Sequence, residues 1–208
     1  MTPLILASQS PRRAELLTQM GLPYEVHVAD IDESRLSDES PSAYVERLAC
    51  EKCVRGIELA KSASAAAGAE FSAAIGADTI VLLDDEILGK PRGLTEGTAM
   101  LRRLSGRTHE VLSGVAAGDG VRLESTVVSS RVTFRSLDEA EIAAYWATGE
   151  GADKAGSYGI QGIGGILVER LEGSFSAVMG LPVQETEALL QSLDVDTWSL
   201  RSSYKLYG

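Results

Sequence analysis

Several short segments hold residue types whose spacing could do chemistry. In SQSPRRAELL, Ser10-Pro11 is an N-cap followed by a first-turn proline, which places Arg12 and Arg13 in the first turn of a helix. Cations there face the positive end of the helix dipole, at a cost of about 0.3 to 1 kcal/mol each, unless an anion binds the exposed amides of that turn between them. A phosphate site is one reading; arginines that are solvated or paired with distant acidic residues are the other. In the segment after Pro41, Val45, Leu48, Ala49, Cys53 and Ile57 form one apolar stripe at helical spacing, and Lys52 lies within it. Its stem could snorkel past these neighbours, or its ammonium could enter a cleft and need a partner such as a triphosphate.

The segment GADTIVLLDDEILGKP carries more geometry. Asp78 stands directly before a buried apolar run, which is costly unless the carboxylate is paired or binds a metal. If Asp84-Asp85 form a two-residue turn, residues 83 and 86 pair, and counting outward sets Thr79 opposite Lys90; a one-residue bulge sets Asp78 there instead. Either register brings a carboxylate, a hydroxyl and an ammonium to the open end of one hairpin, as around a polyanion and a metal. A structural Asp78–Lys90 ion pair is the alternative. The glycines of GSYGIQGIGG would let backbone approach a ligand closely, and Gln161 among them offers both a donor and an acceptor. This spacing precedes a strand and does not open a helix, so it is not a dinucleotide-binding fingerprint.

The elements that must position these groups follow from periodicity and punctuation. Strands are expected at Leu4–Ala7 and Tyr24–Val28, in a hairpin through Ile80–Leu83, from Thr108 to Phe134 folded back at Gly118-Asp119-Gly120, and at Ile166–Leu171. Helices are expected from Pro11 to Gly21, from Pro41 towards Lys61, from Thr95 to Leu104, from Leu137 to Thr148 and from Pro182 to Leu193. The Ala/Ser-rich SASAAAGAE reads as a flexible surface loop, and the tail after Asp194 is uninformative. Strands interleaved with helices imply an α/β fold around a mixed sheet.

At 208 residues the chain is long enough for one large domain or two small lobes. Its net charge of −11 argues against coating a nucleic acid. No run approaches the length of a membrane span and the N-terminus has no basic leader region, so a cytoplasmic protein with no membrane partner is expected. The CxxC of Cys50 and Cys53 falls inside a helical pattern, and only His27 and His109 could add nitrogen ligands, so both cysteines read as small reduced core residues.

Taken together, ASQSPRRAELL, GADTIVLLDDEILGKP, LSGRTHEV, YWATGEGADKAGSYGIQG and VMGLP resemble the successive signatures of the Maf-like nucleoside triphosphate pyrophosphatases, over nearly the whole chain from Leu4 to about Leu190. The resemblance implies a single domain over 1–208: an elongated mixed sheet with flanking helices in two lobes around a central cleft, similar to inosine triphosphate pyrophosphatases. It implies hydrolysis of a nucleoside triphosphate between its α- and β-phosphates with Mg²⁺ or Mn²⁺, and a homodimer is compatible with it. Position by position, Asp78 resembles the catalytic carboxylate, Ser8, Arg12, Arg13, Lys52 and Lys90 the phosphate-site residues, and Glu33 with Asp78 the acidic residues at the metal. Arg12, Thr79 and Gln161 resemble the positions that distinguish substrate subgroups. DKAGSYGIQG looks like the dTTP and UTP subgroup, whereas the 7-methylguanosine triphosphate subgroup resembles a glutamate at position 161. A regulatory binding role in septum formation without essential catalysis is the alternative class.

Overall fold

The computed structural model describes residues 2–67 and 70–202. The first apolar run forms β1 (Leu4–Leu6), which pairs in parallel with β2 (Tyr24–Val26), and helix α1 (Pro11–Gln19) makes the crossover that a parallel pair requires. Helix α2 (Pro41–Ala67) starts where expected, with the Ala43 amide donating to Ser40 Oγ at 3.1 Å. It does not stop near Lys61. The Ser/Ala stretch read as a loop continues the helix through Ala67, because alanine is the strongest helix former and residues 62–67 hold no glycine or proline. Gly68 and Ala69 of that stretch lie outside the described residues.

Strand β3 (Ala74–Leu83) folds back into β4 (Glu86–Leu88), pairing Leu83 with Glu86, Leu82 with Ile87 and Val81 with Leu88. Asp84 and Asp85 take φ of 52° and 64°, the two left-handed positions of a tight hairpin turn that aspartate tolerates. The unbulged register is therefore the one adopted. The strand begins at Ala74, so Asp78 lies inside it and not ahead of it as the sequence suggested, and the ladder ends at Leu88, so Lys90 lies past the strand.

Helix α3 (Leu94–Leu104), strands β5 (Thr108–Gly118) and β6 (Leu123–Phe134) and helix α4 (Glu139–Ala147) follow. At the start of α4 the Glu141 amide donates to Asp138 Oδ1 at 2.8 Å while the Glu141 side chain reaches back to the Asp138 amide, a reciprocal cap worth about 1 kcal/mol. The strand expected from Ile166 is shorter. Ile163–Leu167 is a tight 3-10 turn, with the Gly165 amide donating to the Gly162 carbonyl at 3.0 Å, and only Val168–Glu172 forms β7. A short helix α5 (Phe175–Met179) precedes the expected α6 (Val183–Ser192), and the tail adds α7 (Thr197–Ser202).

The strands form one seven-stranded sheet in the order β2-β1-β3-β5-β6-β7, with β4 on β3. It is mixed: β1 is parallel to β2 and β3, while β4 and β7 pair antiparallel. The chain divides into two compact units. The first holds the chain up to Asp78, Ser113–Val127 and the part from Gly180 onward; the second holds Thr79–Leu112 and Val128–Met179. The core of the first unit gathers Ile5, Ala49, Cys53, Ile57, Ala60, Ala74 and Ala116. In the second, His109, Phe134 and Tyr158 meet edge to face at centroid separations of 4.7 to 5.4 Å, and truncating the fully buried Phe134 would cost about 3 to 5 kcal/mol.

Candidate active site

In the first unit the turn between β1 and α1 carries Ser8, Arg12 and Arg13. Ser10 is the N-cap and Pro11 the first helical residue, as expected, but the Ser10 side chain makes no capping bond. Ser8 acts there instead: its Oγ accepts the Ser10 amide at 3.1 Å and Arg13 Nη1 at 3.0 Å. With both lone pairs engaged, the buried Ser8 hydroxyl is left to act as a donor, the polarity a phosphate oxygen needs. Arg13 Nε donates to the Gly180 carbonyl at 2.8 Å, which gives the VMGLP segment a physical purpose: it aims the guanidinium. Burial lowers the pKa of Arg13, the Asp78 charge opposes that, and the neighbouring Arg12 adds to it. Asp78 and Glu33 thus lie within electrostatic reach of the α1 start.

Lys52, Glu33 and Asp78 converge. Lys52 Nζ lies 2.7 Å from Asp78 Oδ1 and 2.6 Å from Glu33 Oε1, and Lys52 is only 8% exposed, so its ammonium does not snorkel to water. Helix α2 must lie almost on the backbone of β3 for this to happen. Gly76 permits it: a Cβ there would stand 2.2 Å from the Ala49 carbonyl oxygen and 2.4 Å from the Cys53 amide nitrogen. Asp78, two places along the strand from Gly76, projects from the same face of the sheet. Cys53 is small enough for the close approach and donates its thiol to the Ala74 carbonyl at 3.2 Å. Burial pushes the Cys53 thiol up to about 12, which makes it inert, and both cysteines are free.

Two residues that sequence reasoning did not single out hold Glu33 in place. Tyr44 donates its hydroxyl to the Glu33 carbonyl at 2.8 Å, and Arg47 joins Glu39 through two nitrogens while donating to the Ser34 carbonyl at 3.0 Å. Burial raises the Tyr44 pKa, and the charges of Asp78 and Glu33 add to the shift. The only available signal was position: both stand on the first turns of α2, facing the acidic DIDES segment.

The donor set fits a hard divalent cation. Two carboxylates already share one cationic atom, the Lys52 ammonium, and oxygen donors of this kind suit Mg²⁺ or Mn²⁺. Among the described residues no group of three or more His, Cys, Asp or Glu gathers as a full metal cage. A cation held by Glu33 and Asp78 would therefore complete its shell with water and phosphate oxygens, the usual habit of Mg²⁺.

In the second unit, Thr79 is half-buried on β3, Lys90 is exposed beyond β4, and Gln161 is exposed at the tip of the glycine-rich loop. Among the described residues the Gln161 amide has no hydrogen-bond partner. The loop around it is not loose. Glu150 and Tyr145, unremarked in the sequence, bond its backbone on either side of Gln161.

A mixed sheet with two arginines at a helix start and two carboxylates on one lysine combines groups suited to a phosphate-bearing ligand. The chain belongs to the Maf-like protein family, whose model matches residues 3–193. It is 48% identical over 192 residues to the dTTP/UTP pyrophosphatase of Pseudoalteromonas atlantica, covering 92% of this chain and 97% of that one. It is 49% identical over 187 residues to the dTTP/UTP pyrophosphatase of Vibrio cholerae, covering 90% and 96%. The protein of the same name from Shigella dysenteriae is 47% identical over 194 residues, covering 93% and 94%.

Proposed function

We propose that this protein hydrolyses dTTP and UTP between the α- and β-phosphates, releasing the nucleoside monophosphate and pyrophosphate. The observation that carries the reading is the meeting of Glu33 and Asp78 on Lys52, within electrostatic reach of the Arg13 guanidinium, in a chain nearly half identical to proteins named for this activity. Ser8 donates its hydroxyl to a phosphate oxygen, while Arg12 and Arg13, with the amides of the first turn of α1, hold the polyphosphate. Lys52 and Lys90 stabilise charge that develops on the leaving pyrophosphate. Glu33 and Asp78 would hold Mg²⁺ or Mn²⁺, which when bound would neutralise phosphate charge and lower the pKa of the attacking water. Asp78 is the catalytic carboxylate, orienting that water, and Thr79 and Gln161 contribute to the choice of base.

The local charge of Arg13 and Lys52, and not the net charge of −11, governs affinity for the polyphosphate. We place the activity in the cytoplasm: both cysteines are free, as a reducing compartment keeps them, and among the described residues no helix is long and apolar enough to cross a membrane. The test is a panel of canonical and modified nucleoside triphosphates with Mg²⁺ or Mn²⁺, with products separated by chromatography. Monophosphate and pyrophosphate from dTTP and UTP, abolished by chelation, are expected. Release of orthophosphate, or full activity after chelation, would reject the bond assignment or the metal respectively.

A further inference from the structure

The loop that carries Gln161 owes its shape to a carboxylate outside it. Glu150 Oε2 accepts the Ile163 amide at 2.8 Å, and Oε1 accepts both the Gly164 amide at 2.8 Å and the Tyr145 hydroxyl at 2.8 Å. That hydroxyl in turn accepts the Gly159 amide at 3.1 Å. One carboxylate and one phenol thus bind the backbone on both flanks of Gln161, and the Gly162 amide closes the turn onto the Gly159 carbonyl at 3.2 Å. The approach is so close that a Cβ on Gly162 would fall 2.1 Å from Glu150 Oε2. The N-terminal flank has a second tether, the 2.8 Å bond between Tyr158 and His109 in the aromatic cluster. Burial works against the Glu150 charge, but the Gly164 and Ile163 amides and the Tyr145 hydroxyl outweigh it and hold the carboxyl below its ordinary pKa. Glu150 is therefore an anion committed to backbone amides.

We propose that Glu150, with Tyr145, is a positioning residue for base selection: it fixes loop 159–164 so that the Gln161 amide meets the base edge in one place. The proposal rests on the reading that Gln161 contacts the base. An amide on a mobile loop could turn to pair with either a donor–acceptor or an acceptor–donor edge, and would discriminate poorly. With its backbone held on both flanks, Gln161 reaches the base from one fixed position, and misplacement alone can cost catalysis about 10²-fold.

The experiment compares dTTP with dCTP, whose rings are alike in size but present opposite patterns at N3 and at the neighbouring exocyclic group. The proteins are native, Glu150→Gln, Tyr145→Phe, Gln161→Ala and the Glu150→Gln/Gln161→Ala double variant, each checked by thermal melt. Glu150→Gln turns one accepting oxygen into a donor facing an amide; Tyr145→Phe weakens the same loop without touching charge. The expected result is a fall of roughly tenfold in the dTTP:dCTP ratio of kcat/KM for Glu150→Gln, a smaller fall for Tyr145→Phe, and no further fall when Glu150→Gln is added to Gln161→Ala. Hydrogen exchange at the Gly159, Ile163 and Gly164 amides should quicken in step. An unchanged ratio in Glu150→Gln, or an equal fall in both backgrounds, would overturn the positioning role while leaving Gln161 as the reader. If Gln161→Ala itself leaves the ratio unchanged, the base-reading assignment fails and takes this proposal with it. Should Glu150→Gln not fold, Tyr145→Phe decides alone: an unchanged ratio there overturns the role.

Discussion

In the first unit Lys52 and Asp78 hang from regular elements and meet Glu33 of the segment between β2 and α2 by charge: Lys52 on α2 reaches Asp78 on β3 at 2.7 Å and Glu33 at 2.6 Å. In the second, Gln161 sits on a loop whose shape comes from backbone amides bonded to Glu150 and Tyr145, and its own side chain makes no hydrogen bond among the described residues. The first arrangement suits a task set by charge, holding phosphate and cation; the second suits a task set by shape and hydrogen-bond polarity. Substitutions at Glu33, Lys52 and Asp78 should therefore change turnover for every nucleotide alike, and those at Gln161 and the residues that hold its loop should change the ranking among nucleotides. The largest expected effect lies in the first. Asp78→Asn conserves volume and removes the charge, and should lower kcat by roughly 10² to 10⁴ for dTTP and UTP equally. Near-native turnover in a folded variant, by pyrophosphate release, would break the assignment; a selective loss for one base would break the comparison.

Lys52→Ala tests whether the ammonium and a divalent cation serve the same pair of carboxylates. Removing it leaves Glu33 and Asp78 without their shared cation. The stability loss should be about 1 to 3 kcal/mol, less than for a fully buried pair because the Glu33 side chain is 55% exposed. Millimolar Mg²⁺ should restore more of the melting temperature in the variant than in the native protein, while kcat stays down about 10²-fold. A melting temperature indifferent to Mg²⁺ in both proteins would remove Glu33 and Asp78 as a cation seat.

The two regions also differ in how much of them the sequence discloses. Lys52 in an apolar stripe and Asp78 beside an apolar run are conspicuous because burying a charge is expensive, so the residues advertise a partner. Their partnership with each other was not legible; it depends on Gly76 letting α2 settle onto β3, a contact between segments distant in sequence. The Asp84-Asp85 turn and its register were legible because turn geometry is local, whereas the start of β3 was not, since Ala74–Ala77 has no alternation to mark it. In the second region the glycines and Gln161 stood out, but Glu150 did not. An acidic residue after a helix stop usually faces water, and only the fold shows its carboxylate turned onto the Ile163 and Gly164 amides.

Acid should separate the two regions next. Burial pushes the His109 imidazole down to about 4, against about 6.5 in an unfolded chain. Between those values the unfolded state takes up a proton that the folded state refuses, so stability is lost as pH falls from about 6.5 to 4 and is fully present above that window. The loss reaches about 3 kcal/mol at its foot. His109→Gln, which keeps a hydrogen-bonding group near Tyr158 but does not titrate, should melt with a flatter pH dependence there. Parallel curves for the two proteins would mean that the acid sensitivity comes from carboxylates elsewhere.

The finest test lies at Gln161, where the comparison predicts a change of preference without a general loss of chemistry. Thymine and uracil are neutral and present a donor between two acceptors, a pattern that an amide can pair with and a carboxylate, having only acceptors, cannot. A 7-methylguanine ring carries a formal positive charge, so a nearby carboxylate gains electrostatic energy from it. Gln161→Glu should therefore lower kcat/KM for dTTP and UTP by about tenfold and raise the relative value for 7-methylguanosine triphosphate. Arg12 and Thr79 also belong to the proposed base and phosphate contacts, so the single variant need show no more than the pyrimidine loss. The charge machinery on Glu33, Lys52 and Asp78 is untouched, so the stimulation by Mg²⁺ or Mn²⁺ should be unaltered. The measurement is the ratio of kcat/KM for dTTP to that for 7-methylguanosine triphosphate in the two proteins. An unchanged ratio would mean that Gln161 does not read the base, and the division of labour between a charge-built region and a shape-built one would then have to be sought at Thr79.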